Sequence, residues 1–178
     1  MYPSDFKRVV FTREALRDRT AQLGKKITQD YRGKELILIG VMKGSLYFLS
    51  DLSREIDLPL QIDLMSVGVM NSTGKTGVVR ITKDLDYDIT GKHILVVEDI
   101  IRSGLTLGYL LQNLGTRGAA DVRLCTLLFS PAELLLNISV DYVGFEVSKS
   151  QRLIGYGLDV GEKGRNLPYI AEIKGMRN

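Results

Sequence analysis

The amino-acid sequence predicts an α/β fold with a mostly parallel central sheet flanked by helices. Five short apolar runs rich in Ile, Leu and Val are typical of buried strands. Segments with apolar residues at helical spacing lie between several of these runs. Because alternation of strand and helix favours right-handed crossovers and parallel strands, we expect ligands to bind beyond the carboxyl ends of the strands.

The first predicted element is a helix, and strands alternate with helices after it. The segment Thr12–Tyr31 places Leu16 and Leu23 at roughly helical spacing. Thr12 is a suitable N-cap, and Gly33 lies just past the end. The predicted strands are Leu36–Val41, Ile62–Val67, Ile94–Val97, Val122–Leu128 and Tyr142–Val147. The further predicted helices are Ser45–Ile56 and Leu105–Leu114, and residues 149–178 look less regular.

The composition limits the classes of chemistry that the chain can carry. Its 178 residues predict one domain, and an apolar fraction of 44% is ordinary for a globular protein. A single His93 and a single Cys125 exclude a His/Cys zinc site within one chain and a disulfide framework. Acid–base chemistry therefore falls mainly to carboxylates, and Cys125, in an apolar run, is interpreted as a core residue.

Charge and hydropathy indicate the compartment and exclude some partners. The 24 Lys and Arg against 21 Asp and Glu give a net charge of +3 that is dispersed along the chain, which argues against a nucleic-acid binder. Met1–Arg8 lacks the apolar core of a signal peptide, and no stretch approaches the roughly 18 apolar residues of a membrane span. We therefore expect a cytosolic protein with no membrane contact.

One segment, His93–Thr106, combines a buried strand with two acids and a Ser-Gly-x-Thr turn that opens a helix. Backbone N–H groups at a helix N-terminus attract phosphate, and Ser103 and Thr106 add hydroxyl donors. Gly104 lets the backbone approach a ligand closely. The acids Glu98 and Asp99 suit a neighbouring sugar diol or a Mg²⁺ ion. The combination predicts a site for a phosphorylated ribose.

Two further glycine-containing loops resemble phosphate-binding sequences to different degrees. Gly40–Ser45 follows the first predicted strand, so Lys43 should reach the same carboxyl edge as a phosphate contact. Gly68–Thr76 resembles a P-loop but has five residues between its glycines instead of four, and strand-like residues follow it. A nucleoside-triphosphatase is therefore rejected, and Gly68–Gly77 is expected to be a mobile loop.

The string Val96–Thr106 resembles the 5-phosphoribosyl-1-diphosphate motif of the type I phosphoribosyltransferases. More closely, the chain is similar to the hypoxanthine-guanine phosphoribosyltransferases and is interpreted as a divergent member. The similarity covers nearly the whole length. The further matching strings are Gly40–Ser45, Lys83–Asp86, Cys125–Leu128, Asp141–Glu146, Gly155–Asp159 and Arg165–Tyr169.

The resemblance implies the type I phosphoribosyltransferase fold as a single domain over 1–178, with a small hood built from the N-terminal segment and about 149–178. It also implies cytosolic purine salvage, Mg²⁺ as cofactor and a homodimer or homotetramer. The reaction would transfer the phosphoribosyl group of phosphoribosyl diphosphate to a purine base and release diphosphate. Phosphoribosyl diphosphate, a purine base and a nucleoside monophosphate are the implied ligands.

The resemblance also assigns roles to individual residues. The implied ribose-phosphate contacts are Glu98, Asp99, Ser103, Gly104 and Thr106. The implied diphosphate contacts are Lys43, Gly44 and Arg165, and the implied metal ligands are Glu98, Asp99 and Asp159. The implied base pocket contains Ser130, Arg152, Leu153 and Asp159.

Four departures from the family pattern concern the base and the lid. Arg102 occupies the catalytic position where the family has an acid that handles the purine N7 proton, and a guanidinium only donates hydrogen bonds. Ser130 replaces a lysine that donates to the purine O6, and Arg152 replaces a stacking aromatic residue. Val69–Met70 align with a Ser-Tyr pair of the lid.

These departures place two positive charges, Arg102 and Arg152, beside the predicted base pocket. The leading interpretation is a phosphoribosyltransferase that acts on hypoxanthine or guanine. The alternatives are a noncatalytic paralogue that binds nucleotides or phosphoribosyl diphosphate as a regulator, and an enzyme with changed base specificity.

Overall fold

A computed structural model describes residues 6–70, 78–149 and 151–174 of the protein. The helices are α1 (Arg13–Asp30), α2 (Leu46–Glu55) and α3 (Leu105–Gly115). The strands are β1 (Phe6–Phe11), β2 (Leu36–Met42), β3 (Leu60–Met70), β4 (Val78–Lys83), β5 (His93–Ile101), β6 (Asp121–Phe129), β7 (Tyr142–Glu146), β8 (Leu153–Ile154) and β9 (Ile170–Ile173). A short 3₁₀ turn covers Pro131–Glu133.

The main sheet has six strands in the order β4-β3-β2-β5-β6-β7. All neighbours are parallel except the pair β3 and β4. The strands β2, β5 and β6 are buried on both faces over most of their length, as expected for a parallel sheet covered by helices. The carboxyl ends of β2, β5 and β6 therefore meet at one edge of the sheet.

Helices cover both faces and form two apolar cores. In β2, Leu36 and Leu38 pack into the core with α1 and α2, whereas Ile37 and Ile39 pack into the core with α3. The helices α1 and α2 approach very closely, since a Cβ atom on Gly24 would lie 2.5 Å from the Cβ atom of Glu55. The glycine thus allows the helices to pack against each other.

The small second sheet is built from both ends of the chain. It has three antiparallel strands in the order β1-β9-β8. Glu172 of β9 forms ion pairs with Lys7 and Arg8 of β1, at 3.0 Å each. This sheet is the hood that the fold class requires.

The predicted α/β fold with a mostly parallel sheet and a terminal hood is confirmed. The N-cap of α1 is Thr12 as predicted, and its Oγ1 accepts a hydrogen bond from the Ala15 N–H at 3.2 Å. The strand that carries the two acids extends further than predicted, so Glu98 and Asp99 lie within β5 rather than after it. The strands β1, β8 and β9 were not predicted.

Several other sequence predictions have clear outcomes. Cys125 is fully buried in β6, and burial raises the pKa of its thiol, which confirms a core cysteine. His93 pairs with Asp121 at 3.0 Å at the opposite edge of the sheet from the acids. No helix in the described part of the chain is long and apolar enough to cross a bilayer. The predicted mobile loop and the P-loop-like turn fall largely outside the described residues, and so do the side chains of Val69–Met70.

Candidate functional site

A small cleft lies where β5 passes into α3. Its volume is about 180 Å³, and it is lined by Glu98, Ile100, Ile101, Arg102, Ser103, Gly104, Leu105, Thr106 and Leu107. Gly104 is the N-cap of α3 with φ of +75°, a backbone conformation that favours glycine. Among the described residues, no side chain caps the helix there apart from a long 3.5 Å contact between the Leu105 N–H and Ser103 Oγ. The first-turn amides can therefore bind an anion, and we refer to this cleft as the phosphate cradle.

Asp99 lies beside the cradle and packs directly against the loop after β2. Its Oδ1 accepts a hydrogen bond from the Ile100 N–H at 2.8 Å. A Cβ atom on Gly44 would lie 1.9 Å from Asp99 Oδ2, and a Cβ atom on Gly157 would lie 1.9 Å from the Gly44 carbonyl oxygen. The Gly44 backbone is thus held between a carboxylate and a hood turn, and only glycines fit at both positions. The Met42–Lys43 peptide bond in this loop is cis.

The two acids of β5 are electrostatically unusual. Burial, and next the charge of Asp99, raise the pKa of Glu98 well above its ordinary value. Burial also raises the pKa of Asp99, against the opposing effects of backbone hydrogen bonds and of Arg165. Carboxyls that are costly to ionise in the free protein gain most from a cation or from hydrogen-bond donors. The pair is therefore suited to a ligand that brings hydroxyl groups or a metal ion.

Cations from two elements converge on one acid of the hood. Lys43 Nζ donates to Glu162 Oε2 at 3.0 Å, and Arg165 Nη2 donates to the same oxygen at 3.3 Å. Arg165 also pairs with Asp159 at 2.8 Å and donates to the Gly157 carbonyl oxygen at 2.8 Å. Glu162 is exposed and its φ is +62°. A carboxylate thus occupies a position between two cations that were both predicted to bind diphosphate.

A wider cleft of about 640 Å³ adjoins the cradle on the side of the hood. It is lined by Asp99, Ile100, Arg102, Glu133, Gln151, Arg152, Leu153, Leu158, Asp159, Val160 and Gly161. Three of the four residues predicted for the base pocket, Arg152, Leu153 and Asp159, line this cleft. Ser130 does not, because its side chain is fully buried and its Oγ has no hydrogen-bond partner among the described residues.

Arg102 is bonded to residues that the sequence interpretation did not include. Its Nη1 pairs with Glu133 Oε2 at 2.5 Å, and its Nη2 donates to the Gln151 carbonyl oxygen at 2.6 Å. Both side chains are largely buried, at 31% exposed for Arg102 and 20% for Glu133. Of the two positive charges expected at this pocket, that of Arg102 is therefore balanced by an acid, and Arg152 also lines the cleft.

The predicted metal ligands do not form a ready-made cage. Within the described ranges, no three His, Cys, Asp or Glu residues lie close enough to hold a metal ion by themselves. Asp159 already accepts from Arg165 and from the Glu162 N–H. Asp99 has one oxygen against the Gly44 backbone. This donor set fits an ion that takes one or two carboxylates and completes its shell with phosphate oxygens and water, as Mg²⁺ does.

The chain is similar to known proteins in sequence and in structure. A model of the phosphoribosyl transferase domain matches residues 11–160. The chain is 44% identical to hypoxanthine-guanine phosphoribosyltransferase of Mycobacterium tuberculosis, over 97% of this chain and 89% of that protein. It is 42% identical to the enzyme of the same name from Bacillus subtilis, over 98% of this chain and 97% of that enzyme.

Solved structures agree with the sequence comparison. A hypoxanthine phosphoribosyltransferase from Staphylococcus aureus superposes with a TM-score of 0.91 at 38% identity, covering 96% of this chain and 93% of that one. The sheet order, the hood and the cradle after β5 thus occur together with high identity over nearly the full length. The chain belongs to the phosphoribosyltransferase family, and within it to the hypoxanthine-guanine phosphoribosyltransferases.

Proposed function

We propose that this protein is a purine-salvage enzyme that transfers the phosphoribosyl group of phosphoribosyl diphosphate to hypoxanthine or guanine and releases diphosphate. One observation carries the proposal. The phosphate cradle opens beside the acid pair of β5, and Asp99 of that pair packs against the Gly44 loop, next to the two cations that meet at Glu162. Adjacent sites for a 5′-phosphate, a ribose and a diphosphate follow from these contacts. The relatives that match over nearly the full length of this chain are named for this activity.

The cradle supplies the first set of contacts. Amides of the first turn of α3, with the hydroxyls of Ser103 and Thr106, bind the 5′-phosphate. Glu98 and Asp99 accept hydrogen bonds from the ribose hydroxyls. Because these carboxyls are costly to ionise when no ligand is present, the hydroxyl donors of the sugar lower the pKa of both.

The second set of contacts holds the diphosphate. Lys43, the Gly44 backbone and Arg165 surround the place that Glu162 takes in the free protein. A diphosphate carries more negative charge than one carboxylate and offers more acceptor atoms, so it displaces Glu162 from both cations. Fixed cations at this position stabilise the charge that develops on the leaving group.

Mg²⁺ fits the same end of the site. Asp99 and Asp159 would hold it together with oxygens of the substrate, with Glu98 near Asp99 in β5. The chemistry that it would supply is neutralisation of the diphosphate charge. The chain's own contribution is to keep Asp99 in place through the Ile100 N–H and the Gly44 backbone.

A noncatalytic paralogue is not favoured. The charge of Arg102 is balanced by Glu133, so it does not exclude a purine base from the pocket. The cradle and both diphosphate cations are present. We further propose that the enzyme is a cytosolic homodimer or homotetramer, on the family resemblance, and light scattering on the purified protein tests the assembly.

The activity is tested by steady-state assays with phosphoribosyl diphosphate, Mg²⁺ and each of hypoxanthine and guanine. We expect turnover with at least one of them. In calorimetry, the double variant Glu98→Ala plus Asp99→Ala should bind Mg²⁺-phosphoribosyl diphosphate at least about tenfold more weakly, because it loses charge-assisted hydrogen bonds. Asp88→Asn, an acid in the turn before β5, serves as the control. Absence of turnover, or unchanged affinity in the double variant, would contradict the proposal.

A further inference from the structure

Arg102 belongs to both clefts of the site. It lines the phosphate cradle and also the wider cleft beside the hood. A nucleotide whose 5′-phosphate lies in the cradle must pass its ribose along β5 and place its base in the wider cleft. The Arg102 side chain extends into this wider cleft, where it bonds Glu133 and the Gln151 carbonyl oxygen. It therefore faces the base rather than the phosphate.

Two anchors from different segments of the chain hold the guanidinium. Glu133 lies in the turn after β6, and Gln151 lies just before β8 of the hood. A guanidinium has five N–H donors in a planar fork. The two anchors engage one donor each, on different nitrogens, so donors remain for a ligand. A fixed, planar donor group is well suited to read an edge of a flat base.

A 6-oxopurine and adenine differ at the edge that such a group would read. In hypoxanthine, guanine and xanthine, O6 and an unprotonated N7 are adjacent acceptors, and they match two N–H groups of one arginine. Adenine instead presents an amino donor next to N7. A guanidinium accepts no hydrogen bond, so it bonds the first kind of edge and is unfavourable for the second.

We propose that Arg102, held in position by Glu133, selects the base: it binds 6-oxopurines through O6 and N7, in the form that carries no proton on N7. This inference rests on the proposed function and adds to it the group that discriminates between bases. Arg102 contacts the substrate directly, whereas Glu133 is a positioning residue that acts through Arg102.

The position of Arg102 determines which form of the base can react. A neutral 6-oxopurine can attack through N9 only as the tautomer that carries its imidazole proton on N7. Arg102 disfavours this tautomer, because its N–H donors face the N7 proton. The reacting form is therefore the anion, whose proton passes to solvent as the base binds. N9 then forms a bond to C1′, and the bond from C1′ to the diphosphate oxygen breaks with its electron pair on diphosphate. No protein base is needed, and the rate rises with pH until the purine is ionised.

Other charged groups also face this cleft and limit how the pH profile is interpreted. They are Asp99 of β5, Glu133 after β6, Arg152 before β8 and Asp159 in the hood. These groups are the same whichever base is bound. A difference between bases therefore isolates the ionisation of the purine. The rise with pH should reach its plateau at lower pH for a base whose imidazole proton is more acidic.

The test measures kcat/KM for hypoxanthine, guanine, xanthine and adenine between pH 6 and 10, roughly spanning these ionisations. For the wild type we expect adenine to be the poorest substrate. We also expect kcat/KM to reach its plateau at lower pH for a base with a more acidic imidazole proton. Arg102→Gln should reduce the preference for guanine over adenine by roughly 5- to 150-fold. Arg102→Lys keeps the positive charge but lacks the planar fork of donors. Its preference for guanine over adenine should lie between those of the wild type and Arg102→Gln. Arg117→Gln, which breaks a comparable ion pair with Asp84 at the other end of β5, is the control and should leave the preference unchanged.

Glu133→Gln tests the positioning residue. The amide oxygen still accepts from Arg102, but the charge of the arginine is no longer balanced. We expect the ratio of kcat/KM for xanthine over hypoxanthine near neutral pH to rise, because xanthine is partly anionic there. A residue that only supported the fold would change both substrates equally. An unchanged ratio would contradict the role of Glu133.

If no base is turned over, the proposed function is contradicted, but the role of Arg102 in selecting the base can still be tested by binding. Calorimetry with the mononucleotides of guanine and adenine then takes the place of kinetics. Wild type should bind the guanine nucleotide more tightly, and Arg102→Gln should remove most of the difference. Equal affinities in wild type, or adenine used as well as guanine, would overturn the inference.

Discussion

Replacing Gly44 with alanine tests whether the Gly44 backbone and the Asp99 carboxylate form one unit. The new Cβ atom would lie 1.9 Å from Asp99 Oδ2 and 2.4 Å from its Cγ. Contacts this short do not occur, so the carboxylate must rotate away or the loop must move. The loop has little freedom, because the Gly44 carbonyl oxygen already packs against Gly157. We therefore expect Asp99 to be displaced.

The expected magnitude follows from what Asp99 loses. Forcing a methyl group into a packed site costs about 1–3 kcal/mol of unfolding free energy. Rotation of the carboxylate also disrupts the 2.8 Å bond from the Ile100 N–H. That bond is charge-assisted and is worth about 1.5–3 kcal/mol. If the fold bears part of the cost and the ligand site the rest, binding of Mg²⁺-phosphoribosyl diphosphate weakens by at least about tenfold.

Gly115→Ala is the matched control. It lies in the last turn of α3, and a Cβ atom there would meet nothing within 4 Å. Alanine in a helix is favoured over glycine, so this variant should be neutral or more stable by up to about 1 kcal/mol. Urea denaturation measures stability and calorimetry measures ligand affinity. Wild-type affinity in Gly44→Ala would refute the coupling of Gly44 and Asp99.

Three further changes test other parts of the structure. Glu98→Gln removes a carboxyl whose pKa is raised by folding, so it should increase the free energy of unfolding near pH 7 by about 1 kcal/mol while weakening ribose binding. The gain in stability should vanish as the pH falls toward 4.5, because the carboxyl is then protonated in the folded protein. A gain that does not depend on pH would contradict the burial effect. Glu162→Gln removes the carboxylate between Lys43 and Arg165 and should raise the affinity for inorganic diphosphate a few-fold in low salt, as measured by calorimetry. An unchanged or lower affinity would exclude competition between Glu162 and diphosphate for these cations. Thr12→Ala removes the N-cap of α1 and should cost about 1 kcal/mol in urea denaturation, with no effect on ligand binding.

The elements that sequence reasoning predicted are those whose signals are local. The helix α1 has a cap residue, an apolar stripe and a glycine past its end, all within about twenty residues. The strands of the main sheet are continuous apolar runs because helices cover both faces. The hood strands lack such a signal. β8 has only two residues, and β9 pairs with a strand more than 150 residues earlier in the chain, so only the folded chain brings them together.

The same distinction applies to the site. Ser103, Gly104 and Thr106 were predicted as a group because a helix N-terminus concentrates its donors in consecutive residues. Gly157 and Glu162 were missed, since their roles depend on contacts with the loop after β2, more than 100 residues away. Gly157 did leave one signal, a second glycine two residues after Gly155, but its spacing alone does not reveal its contact with Gly44.

Glu133 was missed for a different reason, and it changes how the departures from the family pattern are understood. Taken one position at a time, Arg102 is the loss of an acid and Ser130 is the loss of a lysine. The structure shows an acid three residues after Ser130 that reaches Arg102. The pocket thus holds an arginine directly after β5, where the family resemblance implies an acid, and a carboxylate beside it. A partly buried arginine without that partner would destabilise the loop, so the two residues are interpretable only together.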